Sequence, residues 1–151
     1  MEENNTDLKI RALKKLYQIV DVHWAEVCNS LSLIEELSED ESFPAHDLAA
    51  AVASKCFYHL QEYNDALRLA LCAGKYLDIS VKSEYVDTML AKCIDEYKLQ
   101  RTQQEADMTK TIDPRMEHII EQMFERCYRD ACYEQVHCVT YLSIIFSFDP
   151  Y

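Results

Sequence analysis

Residues 48–74, LAAAVASKCFYHLQEYNDALRLALCAG, hold the pattern that most restricts what this chain can fold into. Leu48, Val52, Cys56 and Leu60 recur at every fourth position, with Ala49, Ala53 and Phe57 beside them, so a helix here carries one broad apolar face. The alanines at 49, 50, 51 and 53 remove bulk and let another helix axis come close. Gln61, Glu62, Tyr63 and Asn64 interrupt the pattern, and Asn64 or Asp65 is expected to accept hydrogen bonds from the free amides of a new helix. Ala66, Leu67, Ala70 and Leu71 form the inner face of that second arm, and Gly74 is placed to take the left-handed conformation that closes a helix. Two such helices leave apolar surface that only a neighbouring pair can cover, which makes the hairpin a unit of an α-solenoid.

The rest of the composition agrees with helices. In 151 residues there are one glycine and three prolines, too few turn residues for a sheet protein, and 49% of positions are hydrophobic. That length suits a single domain. The expected architecture is all-α, an α-solenoid of stacked antiparallel helical hairpins of tetratricopeptide-like character, with about seven helices. A helical-repeat domain is assigned to residues 1–138 and a divergent apolar tail to 139–151.

Elsewhere the boundaries follow from periodicity. After a ragged acidic start, Leu13, Leu16, Tyr17 and Val20 share one face of a short amphipathic helix. Asp21 is read as the cap of the next, where Trp24, Val27, Cys28, Leu31 and Ile34 continue the spacing to about Leu37. Trp24, the single tryptophan, reads as a packing anchor. The acidic run 35–41 reads as a solvated loop, broken by Ser42, Phe43 and Pro44, with a docking patch for a basic partner as its other reading. Ser83 caps a helix ending near Leu99, on which Val86, Leu90, Cys93 and Tyr97 face inward. Residues 100–111 hold almost no apolar side chains and read as an exposed loop. Asp113 before Pro114 signals a helix start, followed by an inner face of Met116, Ile119, Ile120, Met123, Phe124 and Cys127. Arg129, Asp130 and Ala131 are expected to lead into a turn before Tyr133, Val136 and Val139, and the spacing of Cys127, Tyr133 and Val136 echoes that of Phe57, Tyr63 and Ala66.

The formal charge of −12 repels phosphate backbones, which excludes nucleic acid as a natural partner and favours basic protein surfaces. Seven cysteines, at 28, 56, 72, 93, 127, 132 and 138, fall mostly on apolar faces. The polar start MEENNTDLK does not look like a secretory leader, so buried thiols in a reducing compartment are expected. The uncharged run 139–148 is too short to cross roughly 30 Å of hydrocarbon, and no membrane role is read from it.

For chemistry, Cys127, Cys132, His137 and Cys138 make the tightest group of potential metal ligands. They lack the paired spacing of structural zinc sites, so buried thiols are preferred and no metal or cofactor is assigned. A cysteine enzyme using Cys127 or Cys132 ranks last, since no recognisable signature surrounds either residue. His23, His46, His59 and His118 lie near helix ends or aromatics. The pairs Glu35 with Glu36 and Glu84 with Asp87 read as ordinary exposed acids, and one glycine cannot build a phosphate loop. No catalytic residue and no small-molecule substrate is assigned.

Several segments, taken in order and spacing, are specific. They are Trp24-Ala25-Glu26, Val52-Ala53-Ser54-Lys55 leading into Phe57-Tyr58-His59-Leu60, Ala70-Leu71 with Ala73-Gly74, Ser83-Glu84-Tyr85-Val86, and Ala91-Lys92-Cys93-Ile94-Asp95. Ile112-Asp113 with Arg115 and Glu117, then Met123-Phe124 and Arg126-Cys127, extend the series. In these the chain resembles the N-terminal helical region of the largest non-ATPase scaffold subunit of the proteasome regulatory particle, a base subunit of the proteasome/cyclosome-repeat family. The resemblance implies a non-enzymatic rod in the cytoplasm and nucleus that holds lid and base subunits in ubiquitin-dependent protein degradation. Members of that family are several times longer, with a closed helical ring of repeats and a receptor-docking C-terminal tail beyond the region matched. The segment VTYLSIIFSFDPY is unlike the family's continuation, and the short helix that usually opens the family has no counterpart. Exposed apolar surface near 142–148 is expected to cause self-association. The other reading is a free-standing tetratricopeptide-like adaptor that binds a peptide or protein client in its groove.

Overall fold

A computed structural model describes residues 2–106 and 111–130, with the side chains of 2–4, 105–106 and 126–130 excepted. Among the described residues six α-helices follow one another: α1 (Glu2–Cys28), α2 (Leu31–Glu39), α3 (His46–His59), α4 (Tyr63–Cys72), α5 (Glu84–Ala106) and α6 (Pro114–Asp130). A 3₁₀ turn, Gly74–Tyr76, follows α4. Among the described residues there is no strand, and the fold is an all-α helical solenoid. The tail 139–151, the turn at 131, and Tyr133 and Val136 of the expected last hairpin lie outside the described residues.

The centre is α3. Leu48 to Ser54 are all buried in an unbroken run, and Cys56, two residues on, is buried as well. A helix buried all round has neighbours on every side, and α1, α2 and α4 each pack against it. The alanines explain how three helices fit. With no side chain beyond Cβ at Ala49, Ala50, Ala51 and Ala53, α3 leaves room for Leu13 and Val20 from α1 and Ile34 from α2 in the same cluster. The expectation of a single apolar face on α3 was too narrow.

Past α3 the packing becomes serial. α4 packs on α5 and α5 on α6, around Ala66, Leu67 and Ala70 from α4, Val86, Met89, Cys93 and Tyr97 from α5, and Met116, Ile120 and Met123 from α6. Leu69 and Ala73 face the first cluster instead, so α4 is apolar on two sides and separates the two cores.

Several boundaries differ from the sequence reading. The first helix begins at Glu2 and runs through Asp21, bending at His23, whose φ of −112° and ψ of 34° are not helical. Asp21 caps nothing there; its carboxylate lies 2.7 Å from Lys55 Nζ of α3. The acidic run begins as helix, since α2 extends to Glu39. The polar stretch after Leu99 is also helical as far as Ala106. Local bonds replace an apolar face there: Gln100 donates to Glu96 at 3.0 Å and the Thr102 hydroxyl to the Lys98 carbonyl at 3.0 Å.

Two caps follow the expected chemistry. The Ser83 hydroxyl accepts the Val86 amide at 3.2 Å, and the Asp113 carboxylate accepts the Arg115 amide at 2.9 Å. The α3–α4 turn does not, because neither Asn64 nor Asp65 caps α4 and the residue before the helix, Glu62, makes no side-chain cap bond. The turn is closed by Gln61 at a left-handed φ of 64°, with the Glu62 amide reaching back 2.9 Å to the Phe57 carbonyl. Gly74 takes the left-handed conformation expected of it, with φ of 50°.

Candidate interaction surface

Two features stand out, a polar and aromatic seam where α1, α3 and α5 meet, and a pair of furrows around α4 and α6. In the seam, Lys55 extends from α3 between two rings. Its ammonium lies 4.8 Å from the Tyr17 ring centre and 5.8 Å from that of Tyr85, besides pairing with Asp21. One turn further along α3, Tyr58 packs edge-on against Tyr85 at 5.4 Å and His59 stacks flat on Trp24 at 5.5 Å. Tyr17, Asp21 and Trp24 recur along α1 at steps of four and three, and Lys55 and His59 stand one turn apart on α3, so Lys55 meets Tyr17 and Asp21 while His59 meets Trp24. Trp24 thus serves the packing, as its spacing suggested.

Beneath the seam lies the buried Ser54. Its hydroxyl is 2.6 Å from the Ala66 carbonyl and 2.7 Å from the Tyr85 hydroxyl. A carbonyl only accepts, so Ser54 donates its single proton to Ala66 and Tyr85 donates to Ser54. Burial pushes the Tyr85 phenol up to about 12, which keeps it a donor at neutral pH. This chain of bonds ties α3, α4 and α5 together.

The larger furrow, about 810 Å³, runs between the end of α4, the residues after the 3₁₀ turn, and α6. Its apolar wall is Leu71, Leu77, Ile79 and Ile119, with Lys75 and Arg115 at the rim. Leu71, expected on the inner face of α4, packs half-buried against the second core and also borders this furrow. The smaller furrow, about 420 Å³, lies between α4, α5 and the start of α6, beside the exposed Leu99. Leu71 and Arg115 border both. Arg115 is fixed in place: its guanidinium bonds Asp113 at 2.8 Å and Cys72 Sγ at 3.2 Å. The side-chain bond from Arg115, followed by its backbone amide and its charge, holds the Asp113 carboxyl below the usual carboxylate range although partial burial works against it.

The acids that could have formed a docking patch are partly spent within the chain. Arg68 of α4 reaches Glu35 at 2.8 Å, Glu39 at 3.8 Å and Asp65 at 3.6 Å. Residues 35 and 39 stand one helical turn apart, so both face the same guanidinium. Sequence reasoning missed this because it placed the run in a loop.

Of the ligand group considered above, Cys132, His137 and Cys138 lie outside the described residues, and so does the side chain of Cys127. Among the described residues, no three His, Cys, Asp or Glu side chains converge as a metal site would require. No helix among them is long and apolar enough to cross a membrane.

The family model for the N-terminal domain of 26S proteasome subunit RPN2 matches residues 1–142. The 26S proteasome non-ATPase regulatory subunit 1 of Drosophila melanogaster is 44% identical over 137 residues, 89% of this chain and 13% of the relative. Homolog A of that subunit in Arabidopsis thaliana is 45% identical over 138 residues, 89% of this chain and 14% of the relative. The 26S proteasome regulatory subunit RPN2 of Saccharomyces cerevisiae is 38% identical over 134 residues, 85% of this chain and 14% of the relative. The chain therefore spans about one seventh of the length of these relatives. It belongs to the family of the N-terminal domain of 26S proteasome subunit RPN2.

Proposed function

We propose that this chain is a non-enzymatic scaffold segment of a proteasome regulatory particle, holding lid and base subunits through helix faces and acting in ubiquitin-dependent protein degradation in cytoplasm and nucleus. Its family membership and the names of its relatives support the setting. The observation that carries the mode of action is the convergence of two furrows on Leu71 and Arg115, beside a core that is already closed around α3. Apolar walls with a fixed cation at their junction suit a helix or loop of another protein.

The test is affinity capture of the tagged chain from cells, followed by mass spectrometry, alongside the variant Leu71→Asp checked for an unchanged helical spectrum. Regulatory-particle subunits recovered with the parent and depleted about tenfold with the variant support the proposal. Equal recovery with both moves the contact away from the furrows. Unrelated clients in place of those subunits favour the adaptor reading.

A further inference from the structure

We infer that the outward face of α1 is a docking strip for a helix of another protein, one that carries carboxylates at its middle and apolar side chains toward its ends. Leu13 and Val20, buried in the first core, fix the inward side of α1. On the opposite side stand Leu8, Arg11, Lys15, Gln18 and Val22, all exposed. Their steps of three and four alternate, which is the 3.5-residue repeat by which one helix meets another along its length. From Leu8 to Val22 the strip is about 21 Å long at the rise of an α-helix. Its two ends are apolar and open to solvent, Leu8 being 60% exposed and Val22 77%.

The charge of the strip says what covers it. The chain has 27 acids and only 15 Lys and Arg, so a cation has carboxylates to choose from. Elsewhere they are taken: Lys55 pairs with Asp21, Arg68 with Glu35, Lys75 with Asp47 and Arg115 with Asp113. Among the described residues, Arg11, Lys15 and the adjoining Lys14 have neither an ion pair nor a side-chain hydrogen bond, although the exposed Asp7 stands one turn before Arg11. The formal charge of −12 favours basic partners over the chain as a whole. On α1 that preference is locally reversed, and complementarity calls for carboxylates opposite Arg11 and Lys15.

A second α1 does not fit. Lys15 lies at the centre of the strip, so in either direction of pairing it would face its own copy, and like charges in register repel. The strip is also separate from the furrows, since no residue of α1 lines either of them. The inference therefore stands apart from the contact proposed there.

The test is photo-crosslinking of the full chain in cells, with p-benzoylphenylalanine in place of Gln18 and the crosslinked peptide identified by mass spectrometry. The expected product joins this position to a segment of another protein that has net negative charge over about fifteen residues, the length of the strip. Reversing the charges with Arg11→Glu and Lys15→Glu should lower the yield about tenfold. Arg11→Lys with Lys15→Arg keeps the charge and should leave the yield within about twofold. Both pairs of substitutions are on exposed positions, and an unchanged helical spectrum verifies that each variant folds. A crosslink to a neutral or basic segment, to a second copy of this chain, to lipid or to nucleic acid overturns the inference. So does the absence of a crosslink, or a yield that charge reversal leaves unchanged.

Discussion

The two cores differ in how they are filled. Around α3 the buried residues include Ala45, Ala49, Ala50, Ala51 and Ala53, with Val20, Val52 and Leu48 interleaved. Around α5 they include Met89, Met116, Met123 and Tyr97. Small residues let helix axes approach until backbones nearly touch. Long or bulky ones hold the axes apart and conform to the space between them. The first core is accordingly closed on three sides by α1, α2 and α4, whereas the second is a row of successive pairs flanked by furrows. Where alanine fills a solenoid the chain completes itself; where methionine does, room is left for something else.

The largest effect that would break this contrast is expected from Leu48→Ala. Leu48 is only 1% exposed and sits where the neighbours of α3 cannot follow an inward collapse, so a loss of about 2–5 kcal/mol is expected. Met123→Ala, at 7% exposure in the second core, should cost toward the lower end of that range, since α6 packs on α5 from one side and can relax. Urea denaturation of both variants checks the ordering. Equal losses, or a reversed order, would mean that the two cores are equally tight.

Ser54→Ala comes next. It strips the Ala66 carbonyl and the Tyr85 hydroxyl of one partner each where α3, α4 and α5 meet, for an expected loss of about 1–3 kcal/mol. Because the bonds cross from the closed core to the open one, amide exchange in α5 should quicken more than exchange in α1. Uniform quickening would show that the two regions unfold as one.

How much of this was legible beforehand divides along the same line. The α3–α4 hairpin, the burial of Met116, Ile120 and Met123 on α6 and the caps at Ser83 and Asp113 follow from local spacing, and the sequence displays local spacing directly. What was missed depended on partners distant in the chain. Asp21 looked like a helix start because its tie to Lys55, 34 residues on, is invisible in a periodicity. The acidic run looked like a loop because Arg68 is 33 residues from Glu35. Residues 100–106 looked like a loop because a polar helix stabilised by its own i to i+4 bonds carries no apolar stripe. The furrows were beyond reach for the same reason: Leu71 has the spacing of a core residue and packs against the second core, and only the relative placement of α4 and α6 leaves part of it open to a furrow.

Asp113→Ala probes the open side alone. Loss of the cap of α6 should cost about 1 kcal/mol. The Asp113 carboxyl is held below its ordinary value of 3.8, so its contribution is present above that value and fades as pH falls beneath it. The stabilities of parent and variant, compared over that range, should therefore converge in acid. A difference that persists at the lowest pH would assign the cost to something other than the ionised carboxylate.

Gln61→Gly gives the smallest effect and the opposite sign. Gln61 takes a left-handed φ of 64° at the turn between α3 and α4, a conformation that costs a residue with Cβ roughly 1–2 kcal/mol. Glycine removes that strain but loses about 0.5–1 kcal/mol more in backbone entropy on folding. The net gain should be about 0.5–1 kcal/mol, the difference of those two ranges taken end by end. Gln61 is exposed and the 2.9 Å bond from the Glu62 amide to the Phe57 carbonyl needs no side chain, so little else is lost. The α3–α4 turn joins the closed region to the open one. If the strain there is a local feature of the turn, the gain appears as a raised denaturation midpoint, with the exchange rates in α5 and α6 keeping their order. A loss instead would mean that the Gln61 side chain makes a contact worth more than the strain it imposes.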